Sequence, residues 1–322
     1  MSRAHLSILS ILSISVLIAA CSGGDSLLGD TDPEGGSFDI TSQNGLTAAR
    51  VAWESALQSG DFSDLGGGLG LSASTAGGVA QTSGLVAGAM QSVPFGPTEL
   101  PCLPGGGTVT ISGDIADETG TTLAADDTFT VVYAMCDEGT GEVFDGQVDF
   151  TVGDFTGSLQ SNLYMLSMDA VATNLQVITG NDTLTSNGDA TVTLDTIDAP
   201  FVYAGTSGAS MTTDSNASSE TLINYQSAQT VDGNDENFPY TLFAAGSINS
   251  TQLAGIVSYS TPIQFSGQGT EYPSEGVLLV EGSNSAARLI AVDNINVTIE
   301  LDTNGDGEAD QTIETTWADL TT

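Results

Sequence analysis

The chain is almost devoid of positive charge. Among 322 residues, Lys and Arg total three and His one, against 41 Asp and Glu, for a formal net charge of −38. The cations are Arg3, Arg50 and Arg288, the histidine is His5, and lysine is absent. Each shortage excludes a chemistry. Imidazole is the commonest general base and metal ligand. With His5 alone beside the terminus, the rest of the chain has no Ser-His-Asp or Cys-His site and no imidazole-held zinc, copper or haem. Without lysine there is no Schiff-base chemistry. Two scattered arginines make no phosphate cradle, no nucleic-acid interface and no electrostatic hold on anionic lipid. Aromatics are 6% of the chain, and cysteines number three. The carboxylate surplus has two readings: solubility in a salty habitat, or ligation of divalent cations.

What is present begins with an address. Arg3, an apolar stretch from Leu6 to Ile18 diluted by serines, and small Ala19 and Ala20 have the layout of an export signal over residues 1–20. The stretch is shorter than the roughly 20 apolar residues of a membrane-spanning helix. Ile18-Ala19-Ala20-Cys21 resembles the lipobox of bacterial lipoproteins. That resemblance implies cleavage before Cys21, lipidation of its sulfur and acylation of the new amino group. Several acyl chains anchor a protein far more firmly than one. Ser22, not aspartate, follows, which the resemblance links to passage to the outer membrane, with the chain facing the periplasm or the cell surface. Cleavage also removes Arg3 and His5. The alternative is an ordinary secretory signal with a chance cysteine.

Cys102 and Cys136 form an even pair in an exported chain and read as a disulfide, with two buried thiols as the alternative. Residues 21–44, rich in Gly, Ser and Asp, read as a flexible tether. Residues 45–59 suit a helix capped by Asn44 or Thr47 and stopped by Gly60. Its apolar face would be Leu46, Ala49, Trp53, Ala56 and Leu57. The remainder of the 45–101 segment is Gly-, Ala- and Pro-rich, with a weak helix over Val79 to Gln91 and otherwise irregular chain.

From Cys102 to the end, residues 102–322, the pattern turns to period two. Thr108 to Ile111, Thr128 to Tyr133, Val143 to Val152, Leu163 to Val177, Ala190 to Leu194 and Thr221 to Tyr225 read as strands. Tyr240 to Ala244, Gly255 to Tyr259, Gly276 to Val280 and Ile295 to Leu301 continue the series. Asp145-Gly146, Asn187-Gly188, Asp232-Gly233 and Glu275-Gly276 read as tight turns between them. The spacing predicts a mainly β protein of ten to thirteen strands. They would form a large antiparallel meander in a curved or barrel-like sheet, with the short N-terminal helix plugging or covering one opening. A two-layer β-sandwich is the alternative. A membrane barrel would want aromatic girdles, and the chain has two tryptophans.

Asp302-Thr303-Asn304-Gly305-Asp306-Gly307-Glu308-Ala309-Asp310 resembles the DxDxDG calcium loops of EF-hands and dockerins. The resemblance implies side-chain oxygens from Asp302, Asn304 and Asp306, the backbone carbonyl of Glu308, and Asp310 directly or through water. The bidentate glutamate of an EF-hand is missing, because Ile313 stands at position twelve. The flanks read as strands, so the expectation is a hairpin whose long turn is organised by calcium; the alternative is a plain polar turn. The same loop followed by Trp317, and the block around Cys102 and Cys136, resemble uncharacterised secreted lipoproteins of Gram-negative bacteria. That likeness brings no activity with it.

The functional expectation is a non-enzymatic envelope protein held to the membrane through Cys21, with a binding or scaffolding role and no nucleic-acid partner. A carrier of lipid or another apolar ligand is an alternative, with Phe150, Leu163, Met165, Leu166 and Met168 lining its pocket. A carboxylate-dependent, glycosidase-like hydrolase is another, since two Asp or Glu suffice for such chemistry.

Overall fold

The computed structural model describes residues 38–66, 96–117, 122–137, 139, 142–159, 163–197, 201–232, 239–269 and 271–320. Cys21, the signal segment, most of the tether segment, the weak helix at 79–91 and the stretch just beyond Asp232 lie outside them. Helix α1 spans Gly45–Gly66. The strands are β1 (Thr98–Pro101), β2 (Gly106–Asp114), β3 (Thr128–Asp137), β4 (Glu142–Ser158), β5 (Leu163–Thr179), β6 (Asp182–Asp195) and β7 (Phe201–Asp214). They continue as β8 (Ser219–Asp232), β9 (Pro239–Ser250), β10 (Gly255–Gln268), β11 (Glu275–Glu281), β12 (Ala286–Ala291), β13 (Asn296–Asp302) and β14 (Gln311–Thr316). A last turn of helix, α2, covers Trp317–Leu320.

All fourteen strands form one antiparallel meander in which every strand pairs with its neighbours in sequence. The predicted sheet is therefore present, as one layer and not a sandwich. It curls without closing, since the order runs from β1 to β14 and these two do not pair. The curl shows in contacts across it. Strands β10 and β14 would lie about 19 Å apart in a flat sheet, yet Phe265 on β10 and Trp317 just after β14 have ring centroids 6.1 Å apart. Helix α1 packs on β6 to β9 and again on β11 to β13, inside that concave face.

The helix has the composition for such a place. Ala48, Ala49, Val51, Ala52, Trp53, Ser55 and Ala56 are all buried, so small side chains surround it on most sides. Leu46, expected on the apolar face, is 42% exposed. Gly60 does not end the helix, which runs on to Gly66. Asn44 sits where a cap was expected, but its side chain serves the preceding turn. It accepts from the Thr41 N–H at 2.7 Å and donates to the Asp39 carbonyl at 3.0 Å. The end of the segment expected to be a flexible tether is docked instead: Ile40 is buried, and its N–H donates to Ser285 Oγ at 2.6 Å. Trp53 anchors the helix, with Phe265 and Trp317 ring centroids 4.8 and 4.7 Å away.

Strands β1, β7 and β12 were not expected. Proline interrupts the first, Gly, Ala and Ser dilute the second, and Ala-Ala-Arg-Leu-Ile-Ala has no strand signature. Three expected turns are not turns. Asp145-Gly146 lies inside β4, Asn187-Gly188 lies inside β6 and Glu275-Gly276 opens β11, each at a register shift. Glycines 146 and 188 have φ of +115° and +150°, and Asn174 and Asn224 have +47° at shifts in β5 and β8. These bulges form a crease across the sheet, which lets strands of up to 17 residues bend around the helix.

Candidate functional site

The predicted ligand residues meet in the β13–β14 hairpin. Asp302 Oδ1 accepts from the N–H groups of Asn304 at 3.2 Å and Gly305 at 2.7 Å, and its Oδ2 accepts from Gly307 at 2.7 Å. Asn304 Oδ1 accepts from Asp306 N–H, and Asp306 Oδ1 from Glu308 N–H, both at 2.9 Å. Asp310 closes the far side. Its Oδ2 takes the Thr303 N–H and hydroxyl at 2.9 and 2.7 Å, and its Oδ1 takes the Asn304 amide at 3.1 Å. Desolvation pushes the Asp302 carboxyl up, but the N–H groups of Gly307, Gly305, Asn304 and Asp306 outweigh it and hold it below its ordinary value. Among the described residues no three His, Cys, Asp or Glu side chains gather as a metal-holding group. The donor chemistry still suits a hard cation, because Asp302, Asn304 and Asp306 are alternating oxygen donors with lone pairs to spare.

Cys102 and Cys136 are bonded, with Cα atoms 5.4 Å apart and a sequence separation of 34. They staple the turn after β1 to the bulged end of β3. Closing a loop of that length contributes about 3–4 kcal/mol in the chain-entropy account.

The apolar carrier pocket is not assembled. Phe150, Leu166 and Met168 are buried in the core, whereas Leu163 and Met165 are 45% and 42% exposed on the opposite face of β5. Strand alternation separates residues that sequence proximity had grouped.

Two features were not anticipated. Glu54 on α1 and Glu220 on β8 form a half-buried carboxylate pair. Arg50 Nη2 donates to Gln252 Oε1 at 3.0 Å, and Gln252 Nε2 donates to Glu220 Oε1 at 3.1 Å. Burial pushes both carboxyls up; the Arg50 charge lowers each, and Glu220 raises Glu54 further. The arrangement favours holding a proton.

The second is on the outer face of the sheet. A row of polar side chains runs Thr128, Thr151, Asp169, Thr191, Ser207, Gln226 from β3 to β8. Where it meets the crease, Asp189, Thr191, Ser207, Gly208, Ala209, Asn224, Tyr225 and Gln226 line an open concavity of about 520 Å³. The readable signal was β7 itself, a strand of unusually small residues between two with longer polar side chains. No protein-family model, curated protein or solved structure matches the chain.

Proposed function

We propose that this is a lipid-tethered, non-catalytic protein of a bacterial outer membrane. Its sheet serves as a binding scaffold, and calcium tightens its terminal hairpin. One observation carries the scaffold reading: the sheet is two-faced. Its inner face is filled by one core that includes α1, and its outer face from β3 to β8 displays hydroxyls, amides and carboxylates. A filled interior argues against an apolar carrier. The tether rests on Cys21 and its lipobox.

The anchor is tested on the native chain by intact mass and membrane fractionation. The wild type is expected in the outer-membrane fraction with an acylated amino terminus at Cys21. Cys21→Ser is expected to lose the acyl mass and the tight membrane association. A wild-type product without acyl groups overturns the tether.

A further inference from the structure

We infer that the trough along β7 is a binding groove for a neutral, extended glycan chain. The inference deepens the binding role proposed above and rests on it, but it is independent of the lipid anchor.

Shape is the first argument. Outward positions on β7 carry Gly205, Ser207 and Ala209, so the middle strand is a low floor. Its neighbours rise beside it with Asp189 and Thr191 on β6 and Asn224 and Gln226 on β8. The two flanking strands are separated by about 9–10 Å, and the open floor from Ser207 to Ala209, beyond the Tyr203 ring, is about 7 Å long. That is a trough one sugar ring wide, with the Tyr203 ring as a platform for the next ring along the strand.

Chemistry is the second. Asp189, Ser207, Asn224 and Gln226 converge on the trough, all exposed, and none of these side chains takes part in an intramolecular hydrogen bond among the described residues. A carboxylate and two amides bind paired hydroxyls well, since each offers two hydrogen-bonding sites side by side. At one end Tyr203 folds back along its own strand, so that its ring covers Gly205. The half-buried ring provides an apolar surface with a polar tip, suited to the hydrophobic face of a pyranose. A few convergent polar groups beside an aromatic platform are what orient a small ligand.

Rigidity is the third. Tyr225 reaches across β7 from β8 and donates its hydroxyl to the Asp189 carbonyl of β6 at 2.9 Å. It crosses at Gly208, where a Cβ would strike both the tyrosine ring and the Asp189 carbonyl. The walls are thus tied to each other at the crease, and the groove is formed before any ligand arrives.

Charge sets the ligand class. No cation lines the trough, Asp189 does, and the chain carries −38 overall. Uronate and sulfated polymers are repelled, and the paired hydrogen-bonding groups beside the Tyr203 ring select a neutral polyhydroxylated chain.

The test is calorimetric titration of the full chain with the hexaoses of β-1,4-glucose, α-1,4-glucose and β-1,4-N-acetylglucosamine at low millimolar concentration. Hexagalacturonate is the anionic control. At least one neutral hexaose is expected to bind, and hexagalacturonate is not. Ser207→Trp fills the floor at an exposed position and is expected to abolish binding with the melting temperature unchanged. Gln226→Ala and Asn224→Gly, the latter keeping a residue suited to φ +47°, are each expected to weaken binding about tenfold. Failure of all three neutral hexaoses, equal binding of hexagalacturonate, or binding that survives Ser207→Trp overturns the groove. Acylation is scored on the same sample by intact mass, so loss of the anchor reading and loss of the groove are separate results.

Discussion

Asp302 shows how one side chain can organise a turn. Both of its oxygens accept backbone hydrogen bonds from the loop that follows. Calcium bound at ten to a hundred times its dissociation constant would add about 1.4–2.7 kcal/mol to the folded state. The wild type is therefore expected to melt at a higher temperature in 10 mM calcium, on the order of ten or more times the weak dissociation constants of extracellular modules. Asp302→Ala is expected to lose that rise entirely. A wild-type melting curve indifferent to calcium removes the ion from the hairpin. Acid titration reads two other residues. Glu54 and Glu220 have folded pKa values above the ordinary 4.5. Burial disfavours the charged form of each, and that penalty fades as pH falls through the raised values. Asp293 and Asp302 act oppositely: their values are lowered, so the stability they contribute is present above about the ordinary 3.8 and lost below it. Stability is expected to rise from pH 7 into mild acid and fall again at lower pH. In Glu220→Gln the neutral limb should flatten and the pH 7 melting temperature rise. A thermal-melt series in which this variant keeps the full wild-type slope contradicts the assignment.

Elements were legible where alternation was clean. Leu163 to Val177 reads as a strand from its pattern and is one, because the core takes every second residue there. The helix was legible from Trp53 and its alanines, but not its length, since Gly60 costs little against the docking of the turns before it. The disulfide was legible from parity, since Cys102 and Cys136 are an even pair beyond the N-terminal Cys21. The crease was not, because an Asp-Gly or Asn-Gly pair marks positive φ without saying whether the chain reverses there or only bulges. The long turn from Asp302 to Asp310 could be placed from its run of Asp, Asn and Gly, whereas the β7 trough needs three strands in register before its residues meet. Gly146 tests the crease as an element. A Cβ at Gly146 would collide with the Asn174 backbone, and its φ is +115°. Gly146→Ala is expected to cost about 1–3 kcal/mol or more in chemical denaturation. Gly153 lies in the same strand, outside the left-handed region, with the nearest atom to a new Cβ at 3.5 Å. Gly153→Ala should change stability by less than about 1 kcal/mol. Equal effects at the two positions would mean that the bulge is not what bends the sheet.

At the scale of the whole molecule, an open sheet of this size needs something to set its curvature. Strand pairing cannot do it, because each strand meets only its sequence neighbours. The information comes from one helix that is remote in sequence from most of what it touches. Its contacts run to β6–β9 and β11–β13, and Trp53 links it to Phe265 on β10 and to Trp317 after β14. Trp317 is fixed in turn, donating its indole N–H to the carbonyls of Pro273 and Asp293 at 3.2 and 3.1 Å. Removing the Trp53 ring should therefore act on the C-terminal two thirds of the sheet and spare its beginning. Strands β2 to β4 are held by their own inner-face packing, such as the stacked pair Phe129–Phe150 at 5.1 Å, and by the disulfide near them. Trp53→Ala is expected to cost about 3–5 kcal/mol. Hydrogen exchange read by mass spectrometry should show protection falling in β7 to β13 while β2 to β4 keep theirs. If exchange rises equally in both regions, the helix is one part of a single uniform core. If it rises only in the first region, the curvature is imposed from elsewhere.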